Sequence, residues 1–304
     1  MEYIKNAVDF LLNEKTAVTL GKFDGLHRGH KCLIGHVTAK KKDGLKAVVF
    51  TFDTPPQTFV KDKEQQVLTT NEEKVSVFEE LGVDYVIEYP FTKEMMRMEP
   101  EEFLKKIVHQ LNIKYIAVGK DFHFGYQRKG NYEKILACSE TFGYEVDVLD
   151  KKQYENRDIS STYVREEIAE GNIEKANMLL GHEFFVQGVV AHGNEIGRTL
   201  SMPTVNIIPL SCKILPPFGV YISQITIDDK VYQGITNVGR KPTIEGINPI
   251  GVETHIFDFN EDVYGKVIKV SFLTFLRGEK KFDSVEQLKK QIEKDMQTAR
   301  NFHI

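Results

Sequence analysis

The run Gly21-Lys22-Phe23-Asp24-Gly25-Leu26-His27-Arg28-Gly29-His30 concentrates residue types that handle phosphate. His27 and His30 are three apart, so they share one face of a first helical turn. Glycines let the backbone turn sharply and approach a ligand closely. A helix start adds free N–H groups and the positive end of the dipole. Two imidazoles placed there can donate hydrogen bonds to phosphoryl oxygens while charge develops on them. Gly21, Phe23, Asp24, Gly25 and Gly29 are therefore read as a phosphate-binding turn, with His27 and His30 as the candidate catalytic pair. The competing reading is a glycine-rich turn with surface histidines. Zinc lacks a third ligand at suitable spacing. No GxxxxGK[ST] occurs, so this is not a Walker phosphate loop.

Two further segments fall on the same predicted sheet edge. Gly119-Lys120-Asp121-Phe122-His123-Phe124-Gly125 leaves a strand at its C-terminal end, and Ile159-Ser160-Ser161-Thr162-Tyr163-Val164-Arg165 opens a helix. In open α/β sheets the ligand crevice lies outside those strand ends. Ser161 and Thr162 also suit plain helix N-caps. Arg165, four residues after Ser161, is expected on the same side as a bound polyphosphate. With the histidines and Asp121, these residues read as a nucleotide-triphosphate site.

The elements that must hold them alternate in type. Thr16–Leu20, Ala47–Phe52, Tyr85–Glu88, Tyr115–Val118 and Glu145–Leu149 read as strands. Residues 30–41, Glu72–Leu81 (with Asn71 as cap), Glu101–Leu111 and Tyr132–Phe142 read as helices. That alternation predicts a parallel sheet covered on both faces. Two more helices, Thr162–Glu170 and Ile173–Leu180, end at Gly181. Strand-like runs then follow at Phe185–Ala191, Tyr221–Ile227, Val231–Thr236, Val252–Phe257 and Val267–Phe275, with Asp228-Asp229 as a hairpin signal. A last helix, Ser284–Asn301, carries Ser284 and Gln287 at capping-box spacing. The pattern predicts an α/β domain with a Rossmann-like sheet, then a small antiparallel β-barrel with a C-terminal helix, the boundary falling near residues 181–184.

With 304 residues, two domains are the length-based expectation. A net charge of −4 disfavours a strongly basic nucleic-acid-binding domain. The N-terminus MEYIKNAVDFLLNEK lacks a signal-peptide core, and no window approaches the roughly 18 apolar residues of a spanning helix. Cys32, Cys138 and Cys212 are odd in number and far apart, as expected of idle thiols in a reducing cytoplasm. Tryptophan is absent, so ring stacking must come from Phe, Tyr or His.

GKFDGLHRGH and ISSTYVR resemble the paired signatures of nucleotidyltransferases of the HxGH class. The GKDFHFG loop and the second half of the chain resemble the bifunctional bacterial riboflavin kinase/FMN adenylyltransferase family, also called FAD synthetase, over essentially the whole chain. The resemblance implies an FMN adenylyltransferase in residues 1–182 and a riboflavin kinase in residues 183–304. It implies Glu253, within Val252-Glu253-Thr254-His255, as catalytic base. Pro203-Thr204-Val205-Asn206 resembles the PTAN motif, whose hydroxyl and amide hold a metal ion and phosphate oxygens, so Thr204 and Asn206 are the implied Mg²⁺ ligands. Gly193, Gly197 and Arg198 form a glycine-spaced turn suited to a phosphate. Phe52, Phe122, Phe124 and Arg277 are the implied flavin contacts. Taken alone, PTVN also fits a strand-start proline with polar neighbours, and a lone strand glutamate usually faces solvent.

The chain departs from the family at Pro55, where a histidine is frequent, and at Ser201 and Val205, which stand for a glycine and an alanine. The implied substrates are riboflavin, FMN and ATP, with Mg²⁺ or another divalent cation. Neither nucleic acid nor membrane is expected, and self-association is left open. Three other readings stand beside this one: an enzyme with only the kinase site live, a nucleotidyltransferase for another phosphorylated substrate, and a flavin-sensing module without turnover.

Overall fold

A computed structural model describes residues 1–53, 66–191, 203–240 and 250–302. By internal packing the chain forms two compact units, Met1–Ser161 and Thr162–Ile304.

The first unit is built on a sheet ordered β1-β4-β3-β2-β5-β8. These strands are Glu2–Lys5 (β1), Thr16–Leu20 (β2), Lys46–Phe52 (β3), Tyr85–Tyr89 (β4), Ile113–Gly119 (β5) and Glu145–Leu149 (β8). Every pairing is parallel. All five residues of β2 are buried, as a central parallel strand covered on both faces requires. Val18, Leu20, Val48, Phe50, Ile87, Ile116 and Val118 form one face with helices Pro100–Gln110 and Tyr132–Phe142. On the other face Ala17, Ala47 and Ala117 are small enough to let helix Arg28–Ala39 settle onto the strands through Val37 and Leu33. Each large side chain buried here contributes roughly 1.5–3 kcal/mol. Short pairs His123–Phe124 (β6) with Gly130–Asn131 (β7), and Gln153–Tyr154 (β9) with Arg157–Asp158 (β10), complete the unit.

Three sequence expectations shift locally. β1 was not expected, because four edge residues carry too little periodicity. The cap of helix Asn71–Glu80 is Thr70 rather than Asn71. Thr70 forms a full capping box with Glu73, while the Asn71 amide donates to the Asp53 carbonyl at 3.1 Å. The first helix starts at Arg28, with His27 as its cap.

The second unit opens inside helix Ser161–Glu170, from Thr162 on, and continues with helix Ile173–Leu180. Asn177 fastens them to the strands: its amide donates to the Phe272 carbonyl at 2.8 Å and accepts from the Phe184 N–H at 2.7 Å. The change in composition near residues 181–184 thus marks where strands begin, while packing groups these two helices with the strands. Six antiparallel strands follow: Phe184–Val189 (β11), Val205–Ile207 (β12), Gly219–Ile227 (β13), Lys230–Arg240 (β14), Ile250–Ile256 (β15) and Val267–Gly278 (β16). Their order is β11-β16-β13-β14-β15-β12. A bridge between Ala191 and Asn206 curls the two ends together into a barrel. Gly188 permits that closure, since a Cβ there would lie 2.6 Å from Ile207 Cγ2. Asp228 and Asp229 both have positive φ, the backbone of a two-residue hairpin turn.

The terminal helix Val285–Arg300 packs Ala299, Ile292 and Met296 against Val220, Ile222, Ile235 and Leu273. Ser284 caps it by accepting from the Gln287 N–H at 3.2 Å. The Gln287 side chain reaches back to the Asp283 N–H rather than to that of Ser284.

Candidate active sites

β2 is flanked by β3 on one side and β5 on the other, so the strand order reverses between β2 and β5. Loops leaving the C-terminal ends of two such strands diverge and leave a crevice. The Gly21–His30 run leaves β2, and the Gly119–Gly125 loop leaves β5, one on each side of that point.

The turn between β2 and the first helix is tightly wound. Phe23 (φ 49°), Gly25 (φ 81°) and Leu26 (φ 44°) occupy the left-handed region, which is costly for the two non-glycine residues. Full burial of the Phe23 and Leu26 side chains holds them there. Asp24 ties the turn down, its Oδ1 accepting from the Leu68 N–H at 2.8 Å and the Thr69 N–H at 3.2 Å. The Gly25 N–H donates to Thr69 Oγ1 at 2.6 Å, and Ser161 Oγ donates to the Asp24 carbonyl at 2.8 Å. Gly21 and Gly29 leave room for rings: a Cβ at either would stand 3.2 Å from Phe23 or His27 respectively.

This turn stacks His27 on His30, with ring centroids 3.7 Å apart and planes inclined by 17°. His27 Nδ1 accepts from the His30 N–H at 3.4 Å, which places its ring proton on Nε2. Burial pushes His27 down to about 4, against a partial pull upward from Asp121. Burial likewise holds His30 well below the usual histidine value, reinforced by the charges of His27 and Lys74. Near neutral pH both rings are uncharged hydrogen-bond donors, poor bases and poor cations.

Asp121 stands at the base of the β5 loop, where its Oδ2 meets Lys151 Nζ at 3.3 Å. Phe122 stacks on Phe124 with centroids 5.6 Å apart, and Phe52 meets Phe91 edge-on at 5.0 Å. Phe52 and Phe122 are partly exposed, whereas Phe124 is buried against Phe103 and Gly130. Phe124 therefore packs the core that supports the loop. Thr162 and Arg165 continue the helix opened by Ser161 and belong to the second unit.

In the second unit the register does the assembly. Asn206 on β12 is opposite Glu253 on β15, Glu253 is opposite Asn237 on β14, Asn237 is opposite Val220 on β13, and Val220 is opposite Arg277 on β16. Directly opposed residues share a face, so these five form one row across the sheet. Thr204 stands two residues before Asn206, and its Oγ1 donates to Glu253 Oε1 at 2.6 Å. His255 Nδ1 lies 3.0 Å from the Pro203 carbonyl and pins the chain just ahead of Thr204. Arg277 pairs with the buried Asp295 on the terminal helix, Nε and Nη2 lying 2.8 and 2.7 Å from Oδ2. Gly193, Gly197, Arg198, Pro55 and Ser201 lie outside the described residues.

Asn206 Oδ1 is buried with no hydrogen-bond partner. An orphaned amide oxygen beside a hydroxyl and a carboxylate fits a hard divalent cation, which prefers oxygen ligands. Among the described residues no group of three His, Cys, Asp or Glu is arranged to hold a metal. A cation at this row would therefore depend on substrate phosphates for part of its coordination.

Sequence reasoning did not assign roles to Asn237, His255 or Lys74. The first two depend on strand register. Lys74 shares the buried helix face with Phe78 four residues on.

The first unit is thus a Rossmann-like sheet bearing an HxGH turn with two stacked histidines, and the second a barrel in which a hydroxyl meets a carboxylate. Comparison with known proteins finds two family models in succession along the chain. The FAD synthetase family model matches residues 10–163, and the riboflavin kinase model matches residues 180–303. The bifunctional riboflavin kinase/FMN adenylyltransferase of Bacillus subtilis is 35% identical over 94% of this chain and 92% of its own length. The Escherichia coli K12 protein of the same description is 36% identical over 95% of this chain and 93% of its own. A crystal structure from Streptococcus pneumoniae described as a macrolide-efflux protein matches with a TM-score of 0.87, 32% identity and 99% coverage of both chains. No helix among the described residues here is long and apolar enough to cross a membrane. The chain belongs to the bifunctional riboflavin kinase/FMN adenylyltransferase family.

Proposed function

We propose that the chain makes FAD in two steps at two separate sites, phosphoryl transfer being assigned to residues 183–304 and adenylyl transfer to residues 1–182. In the first step the ribityl 5′-hydroxyl of riboflavin attacks the γ-phosphorus of ATP. Glu253 takes the hydroxyl proton, the new P–O bond forms, and ADP leaves with FMN as product. A well-placed base contributes typically 10²–10⁴-fold, and positioning with charge neutralisation supplies the rest. Thr204 and Asn206 would hold Mg²⁺, which when bound neutralises phosphate charge and orients the nucleotide. Thr204 orients Glu253 through their hydrogen bond, and Arg277, held by Asp295, closes the flavin end of the row.

In the second step an FMN phosphate oxygen attacks the α-phosphorus of a second ATP, giving FAD and releasing pyrophosphate. The nucleophile is already anionic, so no strong base is needed. Two neutral imidazoles that donate hydrogen bonds suit that demand better than an acid/base pair. Asp24 and Ser161 hold the turn, and the partly exposed Phe52 and Phe122 offer faces for the flavin ring.

The observation that supports this reading is that the stacked His27–His30 pair and the Thr204–Glu253 pair stand in separate compact units of one chain. Supplying FMN and ATP without riboflavin tests the first unit alone. FAD and pyrophosphate are expected in equal amounts, and failure to form FAD would reduce the chain to a kinase.

A further inference from the structure

β12 spans only Val205–Ile207 and pairs antiparallel with β15, Val205 opposite Thr254 and Asn206 opposite Glu253. One further step in that register places Thr204 opposite His255, on the face that carries Asn206 and Glu253. Thr204 therefore stands just beyond the last paired residue of a very short strand. Strand ends open locally at little cost, so such a residue needs a fastening of its own. The residue ahead of it is Pro203, which has no N–H to give. Its carbonyl is the main-chain group left there for a cross-strand hydrogen bond.

His255 Nδ1 lies 3.0 Å from that carbonyl oxygen. A carbonyl oxygen can only accept, so Nδ1 is the donor and carries the ring proton. Thr204 Oγ1 meanwhile donates to Glu253 Oε1 at 2.6 Å. The two contacts cross between the strands: Thr204 reaches Glu253, and the next residue on that face of β15 reaches the chain before Thr204. Pro203, Thr204, Glu253 and His255 are thus tied into one closed loop of contacts. The His255 ring also meets Phe257 edge-on, with centroids 5.8 Å apart, so its orientation has a second support within β15's own end.

We infer that His255 is a positioning residue for phosphoryl transfer: its Nδ1–H holds the Pro203 carbonyl and so keeps the Thr204 hydroxyl at the distance that orients Glu253. The ring itself takes no proton from the substrate. Its work is to keep Thr204 and Asn206 on one line facing the nucleotide phosphates, and without it Thr204 departs from Glu253. A misplacement of about 1 Å at a reacting centre costs on the order of 10²-fold in rate. This inference rests on the phosphoryl-transfer reading of the row.

The test uses the full chain and two variants that separate the ring from the donor. His255→Phe keeps a ring against Phe257 and removes the Nδ1–H, whereas His255→Asn removes the ring and keeps an N–H at the δ position. In long-range ¹H–¹⁵N correlation spectra at pH 8.5, His255 of the wild-type chain should be the Nδ1–H form. Amide hydrogen exchange at Val205 and Asn206 should quicken at least about fivefold in His255→Phe and not in His255→Asn. Riboflavin phosphorylation should lose about 10–100-fold in kcat in His255→Phe, with KM for ATP raised about tenfold, and His255→Asn should recover both to within about threefold. A KM for riboflavin within about twofold of wild type, and unchanged FAD formation from supplied FMN, show that both units are folded. An Nε2–H ring in wild type, wild-type kcat and KM for ATP in His255→Phe, or equal impairment of the two variants overturns the inference while leaving the two-site reading intact. Wild-type protein that makes no FMN from riboflavin overturns the reading itself.

Discussion

Thr204 Oγ1 donates a hydrogen bond to Glu253 Oε1 across 2.6 Å, joining the residue after Pro203 to the middle of β15. Because Asn206 is the register partner of Glu253, one strand end brings a hydroxyl and an amide to the same carboxylate. Glu253→Gln retains an acceptor for Thr204 and removes the base. FMN formation should fall 10²–10⁴-fold, the range a general base supplies, while supplied FMN is still converted to FAD. Steady-state assays of the two half-reactions check this, and parallel loss of both would refute the assignment.

His30→Ala should give the opposite split. It removes a donor at the first site, where loss of one such hydrogen bond typically costs 10²–10³-fold. Riboflavin phosphorylation should stay within twofold of wild type. The same two assays apply, and unimpaired FAD formation would remove His30 from the mechanism.

Acid sensitivity follows from the buried histidines. His27 is charged only near pH 4 in the folded chain, against 6.5 for an ordinary histidine. The unfolded state therefore binds the proton first as pH falls. The contribution of the neutral ring to stability is complete above pH 6.5 and drains away down to about pH 4, amounting to about 3 kcal/mol. His27→Asn keeps a side-chain acceptor for the helix cap and cannot protonate. Denaturant unfolding at pH 7 and pH 4.5 should show a smaller acid loss in this variant, and an identical loss would contradict the assignment.

Gly234→Ala tests the barrel. A Cβ there would stand 2.4 Å from the His255 carbonyl oxygen and 2.8 Å from Ile225 Cδ1. The first obstacle is backbone of the strand carrying Glu253, so it cannot step aside. Destabilisation of about 1–3 kcal/mol is expected from such overpacking. A lower thermal midpoint and weaker FMN formation should accompany it, with FAD formation from FMN spared at temperatures where the chain stays folded.

How much of this is legible in the sequence depends on distance along the chain. His27 and His30 are three residues apart, so helical geometry alone joins them. The first half leads to the parallel sheet, because strand-like runs there alternate with helical patterns. The row from Asn206 through Glu253, Asn237 and Val220 to Arg277 draws on five strands, and only their register assembles it. Neutrality of the histidine pair was equally hidden. It arises from burial of the two rings, His30 packing against Phe23, a side chain held at positive φ that no propensity anticipates. Phe124, a flavin contact implied by the resemblance, is buried against Phe103, a packing role that the sequence did not announce.

The most direct test of two sites on one chain is a time course with riboflavin, excess ATP and Mg²⁺, in which riboflavin, FMN and FAD are separated. FMN should rise first and FAD should follow at its expense, and a mixture of Glu253→Gln and His30→Ala proteins should restore FAD formation that neither achieves alone from riboflavin. FAD absent from the wild-type reaction, or no restoration in the mixture, would contradict the account.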